Sequence, residues 1–255
     1  MRFVKPDFGL LSPGEKRKIS LLRKDLLAWF SHHGRDLPWR SPSASEFEKI
    51  CVEVLLQRTR AETVAAIYPA FFARFESWSD IADASIPELE GHLKPIGLWR
   101  RRAVSIKGIA TYAAKRNGQF PKDPCELGKV PGVGQYVMNA ILLFQHGART
   151  PLVDVNMTRV LERFVKPRTL SDIRFDPWLQ AASHWLVRMQ PVETNWATLD
   201  FAARVCISRH PRCNTCRVAS RCKANVRKAD EAALRQQRRT AYCRRWSGTG
   251  FASSA

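Results

Sequence analysis

VPGVGQYVMNAILLFQHGARTPLVDVNMTRVLERF, residues 130–164, is the stretch on which the fold turns. Gly132 and Gly134 are spaced for a tight hairpin that a Cβ would obstruct, and such a turn exposes backbone N–H groups. Val137, Ala140, Ile141 and Phe144 follow at helical spacing, so the turn opens a helix whose N-terminus suits a phosphate. A grip of that kind, through Gly132, Val133 and Gly134, positions a polyanion's backbone without reading its sequence. Gly147 ends the helix and Thr150-Pro151 breaks the chain. Leu152-Val153 then leads to Asp154, just before a second helical pattern of Val160, Leu161 and Phe164. A backbone grip and a carboxylate therefore lie about two helices apart, the layout of an enzyme's centre.

The remainder of the chain fits a polyanionic partner. Its 255 residues are 45% apolar, which is globular composition, and can bury one large or two modest cores. Lys and Arg number 42 against 23 Asp and Glu, a net charge of +19 that favours nucleic acid over mere solubility. No run approaches the roughly 18 apolar residues of a spanning helix, so a membrane partner is not expected. The N-terminus, MRFVKPDFGLLSPGEKRK, is too charged and too broken by Pro and Gly for a secretory signal, and an intracellular, cytoplasmic protein is expected.

Upstream, residues 16–30 repeat Ile19, Leu22, Leu26 and Phe30 as an amphipathic helix, followed by Arg35-Asp36-Leu37-Pro38-Trp39-Arg40 and a polar loop, Ser41 to Ser45. From Phe47 the sequence FEKICVEVLLQRT is apolar over most of a helix, so it should be largely buried. Lys49, Glu53 and Gln57 form one polar stripe on it, by spacing alone an ordinary solvent face with a Lys49–Glu53 pair. The alternative is a stripe lining a cleft, with a desolvated Glu53 whose pKa rises toward a usable value. Ser85-Ile86-Pro87-Glu88 has the form of a capping box, and Pro95-Ile96-Gly97-Leu98-Trp99 turns into a basic helix opening Arg100-Arg101-Arg102. Those three arginines are read as phosphate ligands or a solvated helix start. Residues 175–187 and 194–205 read as two more helices, and residues 226–255 as a basic tail.

Of seven cysteines, four fall at Cys206, Cys213, Cys216 and Cys222. In a reducing compartment this spacing, C-x6-C-x2-C-x5-C, suits a soft metal centre, and His210 inside it is not needed to complete the set. Zinc is the competing reading, although zinc modules more often carry two close pairs. Cys51, Cys125 and Cys243 are single cysteines in core or surface.

The hairpin, its Gly/Pro-rich loop and Val153-Asp154-Val155-Asn156 with Arg159 resemble the helix-hairpin-helix base-excision DNA glycosylases of the endonuclease III superfamily. Glu53-Val54-Leu55-Leu56-Gln57-Arg58-Thr59 and the cysteine spacing resemble the same superfamily, over roughly residues 16–222. Leu37-Pro38-Trp39-Arg40 is shared by its mismatch thymine and adenine branches. The resemblance implies an all-α, two-lobed fold: a six-helix barrel lobe, 43–148, and a cluster lobe built from 1–42 and 149–225. It implies a [4Fe-4S] cluster on Cys206, Cys213, Cys216 and Cys222, and a monomer acting on double-stranded DNA that contains a mismatched base.

Such an enzyme extrudes its target nucleotide, and the resemblance assigns Gln57, Arg58 and Leu98 to the DNA, with Arg58 and Leu98 wedged into the base stack. Their ordinary readings are an exposed arginine and a hydrophobic staple. Asp154, otherwise a helix N-cap, would stabilise positive charge on the sugar, and Glu53 would act on the leaving base. Tyr136 stands where bifunctional members carry an imine-forming lysine, and a phenol forms no imine. That substitution resembles the thymine glycosylases acting at T·G and U·G pairs. The adenine branch usually has serine there and a further C-terminal domain, of which this sequence shows only a basic tail. The expected function is a monofunctional glycosylase in base-excision repair. The rivals are an adenine glycosylase acting opposite oxidised guanine or guanine, a non-catalytic iron-sulfur DNA-binding regulator, and a zinc-stabilised nucleic-acid module.

Overall fold

A computed structural model describes residues 6–227 and residue 230 of the chain. Among the described residues there are eleven α-helices and no strands, as the all-α expectation requires. The basic tail expected over 226–255 and the single Cys243 lie almost wholly outside the described residues.

Helix α1 (Pro13–His33) starts where Ser12 and Glu15 cap each other reciprocally, with Pro13 fixed in the first turn. Its stripe of Ile19, Leu22, Leu26 and Trp29 is buried, while Phe30 is only half-buried. Helix α2 (Glu46–Leu55) has a second complete capping box, Ser45 with Glu48, and every residue from Ile50 to Leu55 is buried. Helices α3 (Ala61–Arg74), α4 (Trp78–Asp83), α5 (Ile86–Leu93), α6 (Trp99–Ala114), α7 (Pro124–Leu127) and α8 (Gln135–Phe144) follow. At α5 the expected capping box is half-formed. Ser85 accepts the Glu88 N–H, but the Glu88 carboxylate pairs with Arg74 at 2.5 Å instead of reaching back.

These helices enclose one apolar core, including Ile50, Leu55, Phe71, Phe75, Leu93, Ile106 and Val137, with α2 lying against α6 and α8. A second core joins α1 to α9 (Val155–Phe164), α10 (Pro177–Val187) and α11 (Pro191–Arg204), around Leu22, Leu26, Leu161, Phe164, Leu186 and Phe201. Helix α11 begins three residues before the position expected from sequence, because Gln190 turns the chain at φ 48° and Pro191 suits a first helical turn. A small third cluster of Ala140, Leu143 and Leu152, with Tyr136, Phe144 and Val192 beside it, lies where α8 meets the loop before α9.

The two cores are also tied by charge. Asp200 on α11 is wholly buried and receives Arg35 Nε at 2.8 Å and both terminal nitrogens of Arg40 at 2.8 and 2.9 Å. Burial alone would raise its carboxyl, but the hydrogen bonds and charges of Arg40 and Arg35 outweigh burial and hold it below its ordinary value. Leu37 and Trp39, between those arginines, pack into the first core. The segment Arg35 to Arg40 is thus a strap across the junction.

Candidate active site

The hairpin sits between α7 and α8, and its two glycines differ in role. Gly132 has φ 85°, and a Cβ there would lie 2.6 Å from the Ser105 carbonyl oxygen, so only glycine fits. Gly134 is extended, φ −93°, and a Cβ would meet nothing within 4 Å, so the steric need expected of both glycines holds for Gly132 alone. Val133 is buried, and its N–H donates to Val130 O at 3.1 Å inside the turn. Gly134 caps α8 with no side-chain hydrogen bond, so the first-turn amides take no acceptor from the cap.

Glu53 is 1% exposed, so the solvent-face reading of its stripe does not hold. Helix α2 ends at Leu55 rather than continuing, and Gln57 and Arg58 are exposed in the turn beyond it. Packing of α2 on α8 brings Tyr136 to Glu53: the phenol donates to Oε2 at 2.7 Å. Burial pushes the Glu53 carboxyl from an ordinary 4.5 up to about 7. The Tyr136 hydrogen bond and the Arg40 charge oppose that rise, and the Asp154 charge adds to it. Burial, followed by the charges of Glu53 and Asp154, holds the Tyr136 phenol well above its ordinary value, so it remains a donor.

Asp154 is the N-cap of α9. Its Oδ1 accepts from Asn156 N at 2.9 Å and Met157 N at 2.8 Å, and its Oδ2 from Asn156 Nδ2 at 2.6 Å. Burial raises its carboxyl in spite of those hydrogen bonds and the Arg159 charge. Half-buried and coupled to Glu53 through its charge, it forms with Glu53 and Tyr136 one desolvated acidic site at the junction of the cores. Such a site can hold one carboxyl protonated and the other ionised at neutral pH.

Several supporting residues had no signal in the sequence. Asn139 on α8 donates to Pro151 O at 2.8 Å, and Thr150 Oγ1 donates to Asn139 O at 2.8 Å. Asn195 on α11 accepts from Leu152 N at 2.7 Å and donates to Thr150 O at 3.0 Å. The loop before Asp154 is therefore clamped from two helices. Asn156 Oδ1 accepts from Arg159, whose Nε donates to Cys206 O at 2.8 Å, so the Asp154 cap is linked to the start of the cysteine loop.

Arg58 and Leu98, at the tips of two loops, both have left-handed backbone, φ 57° and 46°, which costs a residue with a Cβ about 1–2 kcal/mol. Leu98 is 52% exposed. Arg100 and Arg101 are exposed, but Arg102 is buried, so the basic run is not uniformly a phosphate ligand or a solvated helix start.

Cys206, Cys213, Cys216 and Cys222 line one cavity of about 70 Å³, together with apolar residues including Leu22, Phe164, Phe201 and Val218 and with Arg163, Arg212 and Asn225. That is several times the roughly 10–15 Å³ a single water needs. Burial raises the Cys216 thiol, and the neighbouring Cys206, Cys213 and Cys222 raise it further. None of the four is in a disulfide. Among the described residues no three His, Cys, Asp or Glu side chains are grouped to hold a metal ion. Four thiols around one cavity are a donor set that suits a soft metal centre.

A helical fold with a helix N-terminus that suits a phosphate, and a buried Glu53 that feels the charge of a half-buried Asp154, is a layout suited to a nucleic-acid partner. Residues 51–172 match the HhH-GPD superfamily of base excision DNA repair proteins. The chain is 34% identical over 210 residues to the thymine/uracil-DNA glycosylase of Pyrobaculum aerophilum, covering 78% of this chain and 88% of that protein. It is 34% identical over 195 residues to the adenine DNA glycosylase of Mycobacterium tuberculosis, covering 75% of this chain and 64% of that one. The solved structure of a thermostable thymine-DNA glycosylase superposes with a TM-score of 0.74 at 26% identity, over 83% of this chain and 98% of the other. The chain belongs to the HhH-GPD superfamily.

Proposed function

We propose that this chain is a monofunctional DNA glycosylase that hydrolyses the N-glycosidic bond of thymine or uracil mispaired with guanine. The observation that carries the reading is the Tyr136 hydroxyl on Glu53, beside the Asp154 cap. A phenol that stays protonated offers no amine for an imine with the sugar aldehyde, so base removal goes to water. The thymine/uracil-DNA glycosylase relative supports the choice of pyrimidine.

The uncapped amides at the start of α8 grip a phosphate, and Gln57, Arg58 and Leu98 face the duplex, Arg58 and Leu98 as wedges that offset the unstacking of the flipped nucleotide. As the bond to the base lengthens, positive charge grows on the sugar and the Asp154 carboxylate stabilises it while orienting water. Glu53, with a pKa near 7, holds a proton to give to the departing base. Cys206, Cys213, Cys216 and Cys222 would hold a [4Fe-4S] cluster, whose thiolate bonds would tie the loop to itself. Around it Arg163 donates to the Ile207 and Ser208 carbonyls at 2.7 and 2.8 Å, fixing the loop's start from the protein side.

The adenine DNA glycosylase similarity keeps adenine opposite oxidised guanine or guanine as the second reading. A non-catalytic regulator has no use for a buried carboxyl poised near neutral pH, and that feature argues against it. The test is single-turnover cleavage of T·G, U·G and A·8-oxoguanine duplexes with and without alkali, together with borohydride trapping. Alkali-dependent cleavage at T·G and U·G without a trapped adduct is expected. Preference for the adenine duplex, or a trapped adduct, overturns the reading.

A further inference from the structure

Arg58 and Leu98 leave the surface from left-handed backbone, and one guanidinium lies beneath both. Arg102, in the first turn of α6 and 6% exposed, gives one terminal nitrogen to the carbonyl of Gln57, the residue before Arg58. The other terminal nitrogen donates to Gly97 O, the residue before Leu98, at 3.2 Å and to Ile96 O at 2.9 Å. Thr59 adds a second tie between the loops, its hydroxyl donating to Ile96 O at 3.2 Å.

We propose that Arg102 is a positioning residue that locks the two loops into one two-pronged unit, so that Arg58 and Leu98 enter a base stack together. The inference rests on the wedge role given above to those two side chains. A left-handed residue with a Cβ relaxes toward commoner backbone unless its neighbours hold it, and here the carbonyl just before each one is fixed by a charged donor. The planar fork of arginine reaches acceptors on both loops at once, whereas a lysine ammonium is a single point. A position that needed only volume is filled at lower desolvation cost by an apolar side chain, so the buried guanidinium marks a demand for its hydrogen bonds.

The test compares Arg102→Lys and the milder Thr59→Val with wild type, in the natural and the Leu98→Ala backgrounds. A 2-aminopurine beside a T·G mismatch reports unstacking on binding, whether or not the base is removed. Single-turnover base removal is followed on that duplex and on uracil in an unpaired bulge. Arg102→Lys is expected to lose most of the fluorescence rise and to slow removal from the duplex roughly tenfold or more, the scale of a lost charge-assisted hydrogen bond. Removal from the bulge stays unchanged, Thr59→Val shows a smaller loss in the same sense, and Arg102→Lys adds little once Leu98 is alanine. A wild-type fluorescence response in Arg102→Lys overturns the proposal. So does an equal loss on bulge and duplex, or a full additional loss in the Leu98→Ala background, since a merely structural residue behaves that way. Unstacking by wild type with no base removed from any substrate instead sinks the glycosylase reading, and the fluorescence series still decides the role of Arg102.

Discussion

Tyr136 donates its hydroxyl to Glu53 Oε2 at 2.7 Å, joining the first turn of the post-hairpin helix to the buried helix that carries the glutamate. The bond sets the donor and acceptor roles of the pair. Because Tyr136 is held protonated, Glu53 accepts through one oxygen, and its own proton, when present, is on the other.

The first prediction concerns pH. Glu53 must be protonated to donate, so kcat for base removal should fall as pH rises through about 7. Stability follows the same direction. Between 4.5 and about 7 the folded protein keeps a proton that the unfolded chain has lost, so the contribution of Glu53 is full below 4.5 and disappears as pH rises toward 7. The effect is on the order of 3 kcal/mol at most. Glu53→Gln should flatten the alkaline limb at a lower rate and gain Tm relative to wild type as pH increases over that window. Parallel Tm curves for the two proteins would mean that Glu53 ionises normally.

Asp154→Asn separates chemistry from capping. Asparagine is as good an N-cap as aspartate, so the Asn156 and Met157 amides keep an acceptor. The new amide group, however, meets Asn156 Nδ2, and Asn156 cannot turn because its Oδ1 holds Arg159. Stability should drop by about 1 kcal/mol, the scale of one lost hydrogen bond. Base removal should fall on the order of 100-fold or more as charge stabilisation is lost, with duplex affinity retained. Full activity in calorimetrically intact Asp154→Asn would reduce Asp154 to a cap.

What the sequence made legible was local. The hairpin, the Asp154 cap and the cysteine spacing are each written within a few residues, because turn and cap chemistry is set by neighbours. Glu53 was harder: its i, i+4 stripe with Lys49 and Gln57 looks solvated until the packing of α2 on α8 buries it, and the helix stops at Leu55 before the stripe is complete. Asn139 and Asn195 had no signal at all, and Arg102 was hidden in a basic run that reads as phosphate ligands or a solvated helix start. Asn195 meets backbone more than 40 residues away, and Arg102 meets Gln57 across 45, so only the folded chain reveals what they hold.

The cysteine loop gives the third prediction. Protein purified without oxygen should be brown, with iron, sulfide and broad absorption near about 400 nm. Cys213→Ser should lose that absorption and bind duplex DNA more weakly, because a loop ordered by its metal centre loosens without it. Stoichiometric zinc with neither iron nor sulfide would exclude the cluster.

The last prediction follows from the clamp on the loop before Asp154. Asn195 accepts the Leu152 N–H and donates to the Thr150 carbonyl in buried surroundings, and to the Pro191 carbonyl in a half-buried one. Asn195→Ala leaves the Leu152 N–H and the Thr150 carbonyl without this partner, while the Pro191 carbonyl keeps its place in the α11 ladder, at a cost of about 1–3 kcal/mol for each group that stays buried and unpaired. Asn195→Asp keeps the acceptor for Leu152 but turns the donor toward two carbonyls into a charge, so it should be worse than alanine in stability although nearly the same size. The functional consequence should differ from that of Asp154→Asn. A displaced loop moves the carboxylate without removing it, so Asn195→Ala should lower kcat while leaving the pH dependence set by Glu53 in place. Measuring Tm and the pH profile of single-turnover removal in both variants checks the argument. An Asn195→Asp protein as stable as wild type would show that these contacts do not hold the loop.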